Sequence, residues 1–493
     1  MRRNEGRSPQ KRWVPQLFVP GGLDCKLDWP IIRLQLRFRG ATVRLDAKWL
    51  PGTVAFLPQC ELGKPPLAWK NRAGWGVIQR YAKGLTVVES DSLGNRRRNQ
   101  AQKGQQMPSG TDSTIPMRAL LAGARRKQPT LLDLLRWLVE AESPSDDKAA
   151  VDACGALAVA HAKALGGRVK LHRQRRFGDV IEARFGPRSK AGTPKPILLL
   201  GHLDTVWPLG TLKSMPFRIV DGRVWGPGTL DMKSGVAMAL TAVELLSEVG
   251  LINREIVLLL NSDEEVGSPV SRPITERLAQ ECAAVYVLEP AQGLAYKTAR
   301  KGTGNWRIEV KGVAAHAGVD FEKGASAIRE LARVVETVSG WTDLKRGLTV
   351  SVGLVGGGSK TNVIPADAWA ELDVRIARKA DGARISRKFE ELKGQDKRCG
   401  LTVSGGINRP PMERTRGTVR LYREARALAA ELGFALDEAA TGGASDGNFT
   451  SAMGIPTLDG MGAVGEGAHA RHESIVLEHL APRTALLAGM LAG

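Results

Sequence analysis

At 493 residues the chain is too long for one ordinary core, so two or three domains are expected. With 43% hydrophobic and 25% charged residues it has the composition of an ordinary globular protein, and no apolar run reaches the roughly 18 residues of a helical membrane span. The net charge of +20 is uneven: residues 1–117 hold 20 Lys and Arg against 8 Asp and Glu, and five of the eleven tryptophans (Trp13, Trp29, Trp49, Trp69 and Trp75).

The N-terminal VPQLFVPGG is interrupted by proline and too short for the apolar part of a secretory signal, so a cytoplasmic location is expected. Five widely spaced cysteines (Cys25, Cys60, Cys154, Cys282 and Cys399) fit a reducing compartment with no disulfide framework. Ile32 to Arg39 alternates apolar and polar residues like a half-buried strand. Ala41 to Trp49 alternates too and can pair with it across Arg39-Gly40; nothing after them continues a sheet, and residues 94–116 have a disordered composition. Three readings of residues 1–117 are open: a nucleic-acid-binding appendage built on Arg and Trp, a small β module, or a poorly ordered basic extension before a natural start at Met107 or Met117. The third is expected, with no specific nucleic-acid partner and no membrane.

From Thr130 the pattern becomes regular. TLLDLLRWLVEAES has helical spacing with Thr130 as N-cap, and AVDACGALAVAHAKAL follows as a second helix. PILLLGH, EIVLLLN and AAVYVLE are buried strands that alternate with helices such as MKSGVAMALTAVELLSEV, which predicts a mostly parallel sheet covered on both faces. Between residues 298 and 411 the character changes to alternating strands (NWRIEVKG, LTVSVGLVGGG, AWAELDVRIA) around the amphipathic helix GASAIRELARVVETVSGW. That is a separate α+β unit, inserted between residues 118–297 and 412–493 of an α/β catalytic domain.

Five residues have identities and surroundings suited to two metal ions: His202 in GHLDTV, Asp231 in GPGTLDMKSG, Glu265 in NSDEEVGS, Glu289 in VLEPA and His469 in GEGAHARHES. They fall just past the carboxyl ends of strands or in glycine-rich loops, where open α/β sheets place their sites. Each motif alone is weak. H-x-D is usually a surface pair, an aspartate opening a helix is usually an N-cap, and Asp-Glu-Glu runs are usually solvated. Asp204, two residues after His202, shares its face and can orient the imidazole. Glu264 and Glu265, adjacent in extended backbone, point in opposite directions, so one carboxylate can bind metal while the other faces the water as a general base. His472 and Glu473 leave open which histidine near 469 ligates. A pair of ions in such a site activates water for hydrolysis.

In this order the motifs are specific. The chain from about 130 to 493 resembles the M20 family of co-catalytic zinc metallopeptidases, with the nearest likeness to glutamate carboxypeptidases of the carboxypeptidase G2 type through LDTVWPLGTL, GPGTLDMKSG, TGGASDGN and the lysine-containing segment after Glu289. The resemblance implies two Zn2+ per subunit, with Co2+ or Mn2+ as substitutes. His202, Asp231 and Glu289 would hold one ion; Asp231, Glu265 and His469 would hold the other. It implies Glu264 as general base, Asp204 as support for His202, and a cis peptide after Asp231. It also implies an inserted dimerisation domain, a homodimer, His316 reaching across that dimer to the oxyanion, and Asn362 and Arg375 as substrate-binding residues. Lys297 is the expected partner of an acidic side chain. The activity implied is release of a C-terminal amino acid, glutamate above others, from small peptides or N-acyl amino acids. The alternatives are an N-acyl amino acid deacylase of the acetylornithine deacetylase or succinyl-diaminopimelate desuccinylase type, a dipeptidase, or a binding protein without activity. The N-terminal 117 residues have no counterpart in the family.

Overall fold

The computed structural model describes residues 116–493 in full and, before them, the backbone of three strands. These are β1 (Ile32–Phe38), β2 (Ala41–Leu50) and β3 (Thr53–Gln59), an antiparallel sheet in the order β1-β2-β3. β1 and β2 pair as the alternation predicts, from Ile32 opposite Ala47 to Phe38 opposite Ala41. The third strand corrects the expectation that nothing continues the sheet. Pro58 lacks the donor of an interior strand, but β3 lies at the edge, where proline is tolerated. The expectation for residues 94–116 falls outside the described residues, Pro116 excepted. Contacts divide the chain into a unit up to Ser109 and a unit from Gly110 onward.

The larger unit opens with α1 (Met117–Glu140), which corrects the expected start at Thr130. Thr130 is no N-cap: it lies mid-helix, and its hydroxyl donates back to the Lys127 carbonyl at 2.9 Å. Pro129, inside this helix, is by itself a local boundary signal. The residues before it override that signal, because Met117, Leu120 and Ala124 are buried in the same core as Leu131, Leu134 and Leu138. The chain continues through α2 (Lys148–Ala164), β4 (Arg168–His172), β5 (Val180–Phe185), β6 (Ile197–His202), the short β7 (Arg218–Val220) and β8 (Arg223–Trp225), α3 (Ser234–Glu248), β9 (Ile256–Asn261), α4 (Arg272–Glu281) and β10 (Ala284–Val287).

The main sheet has six strands, β4, β5, β9, β6 and β10 with Thr457–Leu458 beyond β10. The pairings of β6 with β9 and β10 are parallel, while those through β5 are antiparallel. β6 and β9 are buried along their whole length, which is why they read as unbroken apolar runs. Ile197, Leu199, Leu258 and Leu260 face the core built by α1, α3 and the C-terminal helix. Leu198, Leu200, Val257 and Leu259 face a second cluster with Leu278 and Ala279 of α4.

After β11 (Tyr296–Arg300), the strands β12 (Gly302–Lys311), β13 (Thr349–Gly357), β14 (Asp367–Ile376) and β15 (Gly400–Arg409) form an antiparallel sheet in the order β13-β14-β12-β15. Helices α5 (Ala327–Ser339) and α6 (Lys379–Glu390) cover one face, with Trp306 stacked on Phe389 at 4.4 Å in a core of their own. On β14, Leu372, Val374 and Ile376 are buried, while Glu371, Asp373 and Arg375 alternate onto the open face. The chain returns through α7 (Arg416–Glu431), β16 (Glu438–Thr441), α8 (Gly447–Ala452), β17 (Thr457–Leu458), β18 (Gly465–Glu466) and β19 (Ser474–Val476) to α9 (Leu480–Ala492). Among the described residues, no helix is long and apolar enough to cross a membrane.

Candidate metal centre

The site forms where β6, β9 and β10 end together. His202 is the last residue of β6, Glu264 and Glu265 follow β9, and Glu289 follows β10. The loop before α3 brings Asp231, and the loop between β18 and β19 brings His469, whose φ of +61° turns its ring toward the strand ends. The peptide bond between Asp231 and Met232 is cis.

All five expected ligands meet. His202 Nε2 lies 3.3 Å from Asp231 Oδ1 and 3.6 Å from Glu289 Oε1. His469 Nε2 lies 3.3 Å from Asp231 Oδ2 and 3.2 Å from Glu265 Oε2. Asp231 therefore presents one oxygen to each histidine. His472 is exposed and forms no such contact among the described residues, so His469 is the histidine brought to the cluster.

The donor set fits cations. His202 Nε2, Asp231 Oδ1 and Glu265 Oε1 are buried atoms with no hydrogen-bond partner, an expensive condition unless something else is bound there. Oxygen and nitrogen atoms of His202, Asp231 and Glu265 lie within 4.8 Å of one another, as do those of His202, Glu264 and Glu289. Burial works against a charge on His202, yet the carboxylates of Asp204, Asp231 and Glu289 close around it lift its imidazole well above the usual range. The Asp231 and Glu265 carboxylates beside it raise His469 to about 10. Burial raises Glu265 to about 7, His469 opposing and Asp231 reinforcing. A pocket with this much carboxylate draws positive charge, whether as protons or as metal ions.

Asp204 orients His202 by a different route from the expected one. The ring Nδ1 bonds the Asp204 main-chain oxygen at 2.9 Å, while the nearer carboxylate oxygen is at 3.5 Å. The carboxylate instead accepts from the main-chain N–H groups of Glu264 and Glu265, both at 3.1 Å, and from Ser145 Oγ at 2.7 Å. One residue thus fixes a ligand and the loop of the paired glutamates. Glu264 is buried, which raises its pKa well above the ordinary value; Arg409 opposes this and Asp446 adds to it.

Arg409 and Asp446 were not singled out in the sequence. Arg409 ends β15 and donates Nη2 to the Glu264 carboxylate, the Glu264 carbonyl, Ser268 Oγ and Asp446 Oδ1 at 2.8–2.9 Å. Asp446 also takes bonds from Asn261 and Ser268. The signals were Asp446 inside TGGASDGN and an arginine before Pro410-Pro411 at the domain junction. Arg300 grips Asp459 through two bonds of 2.8 and 2.6 Å and lies 3.7 Å from Glu289 Oε2, so it sets a fixed charge beside that candidate ligand. Lys297 is buried, and its ammonium has no hydrogen bond or ion pair among the described residues. Burial first, and Arg300 second, lower its pKa; Asp459, Glu289 and Asp231 pull the other way.

The inserted domain's candidates do not join the cluster within this chain. His316 is exposed, and its Nδ1 accepts from Gly318 and Val319 N–H at 3.2 Å, which leaves Nε2 facing outward. Asn362 adjoins it, its carbonyl accepting from Ala317 N–H at 3.0 Å. Arg375 is held by Asp373 through two bonds of 2.8 Å.

Comparison with known proteins agrees with this architecture. The sequence profile of Peptidase family M20/M25/M40 matches residues 198–493. Carboxypeptidase G2 of Pseudomonas sp. (strain RS-16) is 30% identical over 378 residues, 76% of this chain and 91% of that protein. Succinyl-diaminopimelate desuccinylase of Delftia acidovorans is 28% identical over 318 residues, 60% of this chain and 81% of that protein. The crystal structure of aminopeptidase PepT from Bacillus cereus superposes with a TM-score of 0.60 at 23% identity, covering 74% of this chain and 98% of that one.

Proposed function

The chain belongs to Peptidase family M20/M25/M40 and is a metal-dependent hydrolase of amide bonds, and on that premise we propose that it releases a C-terminal acidic amino acid, glutamate above others, from small peptides or N-acyl amino acids. The observation that carries the specificity is Lys297. Its side chain is largely buried and its ammonium is unpaired among the described residues, and a substrate carboxylate entering beside Glu289 would pair with it. Carboxypeptidase G2, by its name a carboxypeptidase, is similar to this chain over 76% of this chain's length.

His202, Asp231 and Glu289 would hold one zinc ion, and Asp231, Glu265 and His469 the other, with Co2+ or Mn2+ as substitutes. When bound, the ions supply Lewis acidity that acidifies a water and polarises the scissile carbonyl. Glu264 takes the proton of the attacking water on its carboxylate and returns it to the nitrogen of the leaving amine. Burial raises its pKa, which makes the carboxylate a stronger proton acceptor. Arg409 keeps that carboxylate aimed and tempers the effect of burial. In a homodimer, His316 of the partner subunit would donate to the developing oxyanion through its outward Nε2.

The test is a substrate panel on the zinc-loaded full chain, varying only the C-terminal residue of an N-acyl amino acid. Glutamate and aspartate should lead in kcat/KM. A preference for apolar or basic residues would sink the reading and favour a dipeptidase. Indifference to that residue combined with discrimination among acyl groups would favour a deacylase.

A further inference from the structure

Glu473, four residues after His469, is 1% exposed, and nothing assigned so far uses it. Its carboxylate gathers four donors. Oε1 accepts from the N–H groups of Leu230 at 2.8 Å and Asp231 at 3.1 Å; Oε2 accepts from Gly228 N–H at 3.0 Å and from the Trp207 indole at 2.7 Å. Three main-chain donors, from Gly228, Leu230 and Asp231, converge because the turn before Asp231 passes through Gly228 at φ +70°, while the Thr229 N–H between them turns to the Gly226 carbonyl. Pairing of Ser474 with Trp225 sets the Glu473 backbone beside that turn.

We infer that Glu473 is the positioning residue that sets the spacing between Asp231 and His469. It reaches Asp231 directly through the main-chain N–H. It is tied to His469 by a turn closed by Ala470 N–H to the Gly467 carbonyl at 2.8 Å and Glu473 N–H to the Ala470 carbonyl at 2.9 Å. Through Trp207 it also holds the loop that follows His202 and Asp204. One carboxylate therefore joins three ligand-bearing loops. The four bonds use both oxygens twice, which only an ionised carboxylate can accept. A glutamine has one acceptor oxygen, and its amide N–H groups would face other donors.

This inference rests on the two-metal reading, and the experiment separates the two. Metal-free full-length protein is titrated with Co2+, and the visible absorption of the bound ion reports the geometry at each equivalent. Wild type should bind two equivalents. Glu473→Gln should bind the second, between Asp231 and His469, roughly 10- to 100-fold more weakly with an altered spectrum, the scale of losing a ligand's outer support. Trp207→Phe, which keeps three of the four bonds, should shift the same equivalent less, and it carries the test if Glu473→Gln fails to fold. Two equivalents at wild-type affinity and spectrum in both variants would overturn the inference while leaving the two-metal reading intact. A wild type that takes up only one equivalent would overturn the two-metal reading, and this inference with it.

Discussion

The five ligand candidates of the catalytic unit come from loops far apart in sequence and meet within 3.2–3.6 Å, whereas His316, Asn362 and Arg375 share one inserted domain and leave the cluster untouched. The difference follows from the two sheets. β6 and β9 are buried on both faces, so their ends are fixed by packing, and two of the candidates have a second group beside them: Asp204 for His202, Arg300 for Glu289. The antiparallel sheet is covered on one face only, and its candidates lie on loops or on the open side. The first region is complete within one chain. The second has its polar groups free or held by each other, ready to turn to a substrate or a second subunit.

The sharpest way to break this contrast is Glu264→Ala. As a general base its loss should cut kcat by about 10²–10⁴-fold while both metal equivalents stay bound. Arg409 would keep Asp446 and Ser268 as partners, so folding should survive. Metal analysis beside the rate decides it. If one equivalent leaves with the activity, Glu264 is a ligand, as its closeness to His202 and Glu289 permits, and Glu265 must be reconsidered as the base.

Lys297→Met tests whether the complete region also reads the substrate. If the ammonium pairs with a buried side-chain carboxylate, the variant should lose at least about 2 kcal/mol in kcat/KM on glutamate substrates and little on apolar ones. Equal loss across the panel would assign Lys297 to the stability of the Glu289 region instead.

How far the sequence could be read follows the same division. The strands of the parallel sheet were legible because double burial writes an unbroken apolar run. Among the ligand candidates, His202, Glu265 and Glu289 stood out because each sits where such a run stops, while Asp231 and His469 lie in glycine-rich segments. Thr130 misled because Pro129 signals a boundary locally, and only the buried Met117 and Leu120 against distant α9 show that the helix continues. Arg409 and Asp446 were missed for a related reason. Their partners Glu264, Ser268 and Asn261 lie more than a hundred residues away in sequence, and no spacing rule encodes such contacts. Asp204 was read as a side-chain partner of His202 because i,i+2 geometry favours it; the main chain took that bond once the carboxylate was claimed by Glu264 and Glu265.

A second subunit would turn the incomplete region into part of the site. His316→Ala and Glu264→Ala should each be nearly inactive alone. If His316 acts across a dimer, random exchange should make half the dimers mixed, with one intact site in each, so about a quarter of wild-type activity should return. Proven subunit exchange without recovery would place His316 outside the partner's catalysis and leave the two regions independent.

The smallest expected effect belongs to Arg375. Its guanidinium and the Asp373 carboxylate are each about a third exposed, at 35% and 38%, and such a pair contributes no more than about 1 kcal/mol to stability. Asp373→Asn should therefore leave Tm nearly unchanged. It would, however, change what Arg375 is free to do. Arg375 sits opposite Thr303, which in turn lies opposite Arg409, at the end of the sheet where the chain passes back toward Glu264. A planar fork released there suits bidentate binding of the α-carboxylate that every C-terminal substrate carries. If Arg375 binds that group, Asp373 competes with substrate, and Asp373→Asn should lower KM by a similar few-fold factor for glutamate, alanine and lysine substrates, with kcat unaltered. Arg375→Ala should raise KM for the same set, again without preference. Steady-state kinetics on the three substrates is the check. If Asp373→Asn leaves every KM unchanged while Arg375→Ala also does nothing, the pair is an ordinary strand-surface contact, and the open face has no part in binding the substrate's common end.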